Sequence, residues 1–250
     1  MKIILNCDDL GMSEQVNDAI FDLMKAERVT SATMMMNGAA VKDAVARIGE
    51  YAHCSFGVHL NATEFTPLTN GPRLGPLLKA NGEFAGNLRS VRMTEATRDA
   101  LFEEWSAQVE HALALGVPVS HLDSHHHVHT HPAVFGVLKR VQRRFAIRRV
   151  RLSRNVFGIT EKVSAKLRAQ KAAWNLALRC CGPATATTRS FAAFATYFER
   201  MEAGERWRGP IEMMAHPGGE GFVAETALLW GDWRERLAPD AKLISYNELN

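Results

Sequence analysis

The chain has 250 residues, with 30 Lys and Arg against 27 Asp and Glu, so its formal net charge is +3. Hydrophobic residues make up 46% and charged residues 23%, a globular composition that excludes collagen, a disordered tail and a disulfide-rich miniprotein. A charge this small does not by itself indicate a polyanionic partner. Four cysteines without CxxC spacing indicate reduced thiols. Since no apolar run approaches the ~18 residues of a membrane span, we expect a cytoplasmic protein without an integral membrane segment.

Short apolar runs alternate with amphipathic stretches along the chain. The predicted strands are residues 2–7, 31–36, 55–60, 117–122, 149–152, 211–215 and 242–245. Predicted helices lie between them, and Ser13 and Thr94 are the expected N-caps of two of these helices. This alternation predicts a largely parallel sheet, either in an α/β layer fold or in a (β/α) barrel.

Nothing in the composition divides the chain into separate domains. No linker rich in Pro, Gly or Ser interrupts it, so we predict one domain over residues 1–250. Residues 61–92 form a long stretch without a clear period, which is typical of a functional loop or lid. Residues 155–208 carry no motif, and we expect a divergent insertion or a segment of the substrate cleft there.

Polar side chains follow several predicted strands at the point where each strand ends. They are Asp8 and Asp9, His59, Asp123 with the His-rich run 125–131, and His216. Because parallel strands end at one rim, where catalytic groups gather, we expect these side chains to lie close together. Taken singly, an Asp pair can cap a helix and a histidine can be a buried core residue. Five histidines in seven residues, however, indicate metal or proton chemistry.

One carboxylate and two imidazoles on such a rim can hold a divalent ion and leave positions open for water and substrate. This ligand set suits Zn²⁺, while Mg²⁺, Mn²⁺, Co²⁺ and Ni²⁺ remain open by ligand type. A second acid beside the ligand acid can then act as general base, and a histidine across the rim can protonate a leaving group. Asp8, Asp9 and His216 suit this division of roles.

Five motifs are similar to those of one known family. They are NCDDLGMS at 6–13, VTSATMMMNG at 29–38, GVHLN at 57–61, HLDSHHHVHTHP at 121–132 and EMMAHPGG at 212–219. In this order they resemble the YdjC-like carbohydrate deacetylases, the family of the chitooligosaccharide deacetylases. Residues 155–208 lie outside the resemblance.

The resemblance implies a (β/α) barrel-like α/β fold, that is, an irregular or incomplete TIM-type barrel with parallel strands. It also implies metal-dependent removal of an N-acetyl group from an amino sugar, on an oligosaccharide or on a lipid- or phosphate-linked glycan. Matched by motif, the implied metal ligands are Asp9, His59 and His125. The implied base is Asp8, and the implied general acid is His216. The residues expected to support the ligands or the substrate are Asn61, Asp123 and His127. The expected partner is a small acetylated amino sugar and no nucleic acid, and a homodimer remains open.

The segment 139–154 is more basic than an enzyme of a neutral oligosaccharide requires, because eight of its residues are Lys or Arg. A solvated helix face with ion pairs would account for them. The alternatives are a metal-dependent phosphoesterase acting on a phosphorylated sugar and, outside enzymes, a polyanion-binding protein. The lack of interleaved aromatic residues argues against stacking on single-stranded nucleic acid.

Overall fold

Seven parallel strands form the sheet at the centre of the computed structural model, which describes residues 1–249. They are β1 (Lys2–Leu10), β2 (Ser31–Met34), β3 (Ser55–Leu60), β4 (Val119–Ser124), β5 (Ser190–Ala193), β6 (Ile211–Ala215) and β7 (Lys242–Leu243). The strand order is β4-β3-β2-β1-β6-β5, and the short β7 pairs with the beginning of β1. The longest strand, β1, is therefore central, and its side chains from Ile3 to Leu10 are all buried, as its apolar sequence requires.

Within residues 1–249 the edge strands β4 and β5 do not pair with each other, so the sheet stays open. Residues 149–156 run through the gap between them. On one side the Arg151 N–H donates to the carbonyl of Leu122 in β4. On the other side the Val156 N–H donates to the carbonyl of Phe191 in β5. The predicted barrel-like α/β architecture with parallel strands is confirmed in this incomplete form. The predicted strand 149–152 forms only isolated bridges.

Helices follow most strands and bury their apolar faces against the sheet. They are α1 (Glu14–Lys25), α2 (Val41–Arg47), α3 (Glu95–Ala114), α4 (Phe135–Phe145), α5 (Ala165–Cys180), α6 (Phe194–Glu202) and α7 (Val223–Trp230). Both predicted N-caps are confirmed, because Ser13 accepts from the Val16 N–H and Thr94 accepts from the Thr97 N–H. Among residues 1–249, no helix has both the length and the apolar character that a membrane crossing needs.

Two motif glycines bring the loops after β1 and β2 into contact. A Cβ atom on Gly38 would lie 2.3 Å from the carbonyl oxygen of Gly11, far inside the van der Waals limit. Gly11 itself has a φ of +89°, a conformation that glycine adopts without steric cost. These glycines therefore fix the rim of the sheet at which β1 ends.

Candidate metal and catalytic site

Three side chains converge where β1, β3 and β4 end. Asp9 comes from β1, His59 from β3 and His125 from the 3₁₀ helix His125–Thr130 that follows β4. The Asp9 Oδ1 atom lies 2.9 Å from Nδ1 of His125 and 3.2 Å from Nε2 of His59. One ligand atom from each residue lies within 4.8 Å of the other two, and all three residues are buried. The structure thus brings the three expected ligands together.

The backbone at these positions adopts unusual conformations. Asp9 has a φ of 69°, and the consecutive residues His126 and His127 have φ values of 50° and 53°. Left-handed backbone at residues other than glycine costs about 1–3 kcal/mol each and is concentrated at functional sites. The left-handed turn after His125 leaves its ring buried and the next ring, on His126, exposed.

The donor set fits a divalent ion. The Nε2 atom of His125 is buried and has no hydrogen-bond partner among the described residues, although it lies 3.4 Å from Oε2 of Glu64. This nitrogen faces Glu64, whereas Nδ1 of the same ring faces Asp9. A buried imidazole nitrogen without a partner, next to a carboxylate, is an arrangement that an ion would complete. A second group, formed by Glu64, His125 and His126, shares His125 and could also supply three ligand atoms.

Asp8 is held by a buried arginine. Nη2 and Nη1 of Arg151 donate to Oδ1 and Oδ2 of Asp8 over 2.6 and 2.7 Å. The same guanidinium contacts Asp123 at 2.6 Å and Glu212 at 2.8 Å. Burial by itself would raise the pKa of Asp8, but Arg151 and the neighbouring His59 outweigh it and hold the pKa well below its usual range. Asp8 is therefore ionised at neutral pH.

Asp123 connects this arginine to one of the expected metal ligands. Its Oδ1 lies 2.7 Å from Nδ1 of His59, and its Oδ2 contacts Arg151. Burial would lower the pKa of His59, but Asp123 and the other nearby carboxylates raise it to about 10. A carboxylate on the far nitrogen of an imidazole fixes the ring orientation and raises the basicity of the nitrogen that faces a metal.

His216 follows β6, on the other side of β1 from β3 and β4. Its Nε2 lies 3.9 Å from Oδ2 of Asp8, and its Nδ1 lies 3.6 Å from Oε1 of Glu225, which also accepts the His216 backbone N–H. Burial lowers the pKa of His216, but Glu225, Asp8 and Asp9 outweigh it and raise the pKa above its usual value. The Phe222 ring stacks on this imidazole with a centroid distance of 4.4 Å.

The remaining expected residues have different surroundings. Asn61 accepts the backbone N–H groups of Thr63 and Glu64, so it orders the turn that carries Glu64 to His125. The His127 ring packs edge-to-face on Phe191, and burial lowers its pKa well below the usual value.

Three residues of the site had no sequence signal strong enough to single them out. Arg151 is one of eight cations in the basic segment, and the sequence alone suggests that it lies on the surface like the others. Its neighbours Val150 and Leu152 are the one indication of a buried strand. Glu64 lies in the long loop 61–92, and Glu225 lies in a helix of ordinary composition. Only the tertiary contacts show that Arg151 reaches Asp8 and Asp123, and that Glu64 and Glu225 approach His125 and His216.

Most of the basic segment is bound within the chain. Arg140 pairs with Asp99, Arg144 with Glu110, and Arg154 with Glu161. Lys139 and Arg149 donate to backbone carbonyls, and Arg151 is the buried arginine described above. Six of the eight cations thus have partners inside the protein.

The model of the YdjC-like protein family matches residues 2–236 of this sequence. The chain belongs to the YdjC-like family. The resemblance noted from the five motifs is therefore confirmed, and the match includes residues 155–208, which the motifs left out.

Sequence relatives of this YdjC-like chain carry the name carbohydrate deacetylase. One from Vibrio campbellii is 37% identical over 153 residues, which cover 59% of this chain and 57% of that protein. One from Geobacillus stearothermophilus is 37% identical over 153 residues, which cover 60% of this chain and 60% of that protein. The chain thus spans little more than half the length of these relatives. A solved structure from Enterococcus faecalis V583, whose name refers to cellobiose-phosphate cleavage, has the same fold, with a TM-score of 0.75 at 19% identity over 98% of this chain and 97% of that one.

Proposed function

We propose that this YdjC-like protein is a hydrolase that uses a divalent metal ion to remove an N-acetyl group from an amino sugar. The observation that carries the proposal is the convergence of Asp9, His59 and His125 beside an ionised Asp8, with His216 on the opposite side. The two relatives named carbohydrate deacetylase support the same chemistry.

In this proposal Asp9, His59 and His125 hold the ion. When bound, a divalent ion polarises the acetyl carbonyl and makes water a stronger acid. Nitrogen and carboxylate ligands suit Zn²⁺ or Mg²⁺, and Mn²⁺, Co²⁺ and Ni²⁺ also fit them.

Asp8 is the proposed general base. The forked hydrogen bonds from Arg151 and a bond from the Asn6 amide fix the orientation of its carboxylate. Because the pKa of Asp8 is held low, the carboxylate is ionised throughout the neutral range and can accept the proton of the attacking water.

His216 is the proposed general acid. Amide hydrolysis needs a proton on the departing nitrogen, and the raised pKa of His216 favours the protonated form of its ring. The Phe222 ring, stacked on His216 and 38% exposed, offers an apolar face against which a sugar ring can pack.

Phosphoester hydrolysis is the competing enzyme function, and polyanion binding is the non-enzyme alternative. Both invoke the basic segment 139–154, yet most of its cations bind groups of the protein itself. Incubation with N-acetylglucosamine 6-phosphate separates the two reactions, because one molecule can release either acetate or phosphate. N,N′-diacetylchitobiose tests an unphosphorylated substrate in parallel. We expect acetate release from at least one of the two and no phosphate; release of phosphate alone would contradict the proposal.

A further inference from the structure

A cavity of about 650 Å³ lies between one face of α5 and the chain segments 155–157 and 187–189. It is separate from the proposed catalytic site, because none of the residues assigned to metal binding or proton transfer lines it. Its volume is within the usual range for small-molecule pockets.

The wall of this cavity is strongly positive. Arg168, Lys171, Arg179 and Arg189 line it, and among the described lining residues there is no Asp or Glu. Arg168, Lys171 and Arg179 project from α5, where their spacing of three and eight residues places them on the cavity side. The four cations form no salt bridge with the described part of the chain.

The hydrogen bonds that these cations do form are with neutral groups. Lys171 donates to the Ser153 hydroxyl over 3.1 Å, and Arg179 donates to the carbonyl oxygens of Asn175 and Thr188. Burial and the nearby Arg154 and Arg89 lower the pKa of Lys171, and the charge of Glu161 only partly opposes them.

The cavity also has an unused hydroxyl and an apolar part. Thr188 is 1% exposed, and its Oγ1 atom has no hydrogen-bond partner among the described residues. Phe157, Ala172 and Pro210 form apolar sections of the wall.

We infer that this cavity binds a small molecule carrying a phosphate monoester. A phosphate monoester has a charge of about −1.5 to −2 at neutral pH and several acceptor oxygens, which match several cations that lack counter-charges. The guanidinium fork binds phosphate oxygens in pairs. The cavity is larger than inorganic phosphate alone requires, and its apolar sections can receive the organic part of the ligand.

Calorimetric titration of the full chain with phenyl phosphate, inorganic phosphate and phenyl sulfate tests the inference. Phenyl sulfate has the same shape with a single negative charge. We expect phenyl phosphate to bind most tightly of the three. Absence of phenyl phosphate binding at millimolar concentration, or equal binding of phenyl sulfate, would overturn the inference.

Substitutions locate the binding. Lys171→Gln and Arg189→Gln each remove one lining cation, and we expect phenyl phosphate to bind about tenfold more weakly to each, as for the loss of one charge-assisted hydrogen bond. Lys166→Gln is the matched control, because Lys166 is exposed on the same helix and does not line the cavity. Thermal unfolding verifies that each variant is folded. An equal loss in the control, or unchanged binding to both cavity variants, would contradict the assignment.

Discussion

Arg151 compensates the buried negative charge beneath the site. Its guanidinium is fully buried and contacts Asp8, Asp123 and Glu212. Arg151→Met keeps much of the side-chain volume but leaves three acids without their cation. We expect a loss of about 3–5 kcal/mol in the free energy of unfolding, as when one partner of a buried ion pair is removed, measured by urea denaturation. Arg151→Lys, which keeps the charge, should lose less. A methionine variant as stable as the unmodified chain would contradict this account.

Two candidate ligand groups share His125, and they predict different effects of substitution on metal affinity. If Asp9 is the ligand, Asp9→Asn should reduce affinity for Zn²⁺ by at least tenfold, because a neutral amide replaces a ligating carboxylate. Glu64→Gln should then change the affinity much less. Calorimetric titration of the metal-free proteins measures both. The reverse order would assign the ion to the group containing Glu64.

The proposed acid predicts how activity depends on pH. His216 must be protonated to act, so the rate should fall as the pH rises through its raised pKa. Glu225→Gln removes a negative charge that stabilises the imidazolium, yet keeps an oxygen that can accept the backbone N–H of His216. The pKa of His216 should fall, and the alkaline limb of the kcat/KM profile should move to lower pH. An unmoved limb would mean that another group loses this proton.

Sequence patterns predicted the site residues that lie at the ends of strands. Asp8, Asp9 and His59 could be predicted because an apolar run precedes each of them and parallel strands end at one rim. Arg151 could not be predicted, since its main partner Asp8 lies 143 positions away in the sequence. Glu225 could not be predicted either, since it reaches His216 only through the turn that follows β6. Local composition contains no information on such contacts.

The loops that support the site depend on the contact between Gly11 and Gly38. Gly38→Ala would place a Cβ 2.3 Å from a backbone oxygen that cannot move alone. We expect a loss of about 1–3 kcal/mol in unfolding free energy, the usual cost of overpacking, with lower metal affinity. Gly49→Ala is the control, because a Cβ at this exposed position meets nothing within 4 Å. Equal stability of the two variants, measured by thermal unfolding, would be inconsistent with the contact.

At the level of elements, the strength of the local pattern decided what could be predicted. The strands Ser55–Leu60 and Ile211–Ala215 have the predicted bounds, since both are short apolar runs with clear ends. β5 and α6 have no counterpart among the predicted elements. β5 is only four residues long, and its place beside β6 is set by long-range pairing.

The whole molecule is an open barrel whose gap is bridged by one irregular segment. Residues 149–156 bond to β4 on one side and to β5 on the other, and the same segment supplies Arg151 to the site. Residues 149–156 thus connect the two sides of the proposed reaction centre. Asp9, His59 and His125 lie at the β1–β4 side, and His216 lies at the end of β6.

Acetate release by metal-free and metal-restored protein tests the central proposal most directly. The unmodified chain is stripped with a chelator, assayed on N-acetylated amino sugars, and assayed again after Zn²⁺ or Mg²⁺ is returned. We predict that stripping abolishes acetate release, that a divalent ion restores it, and that His125→Ala is not restored. His131→Ala, from the same histidine run but outside the ligand group, should be restored like the unmodified chain. Full acetate release by the stripped protein, or restoration of His125→Ala, would contradict the account.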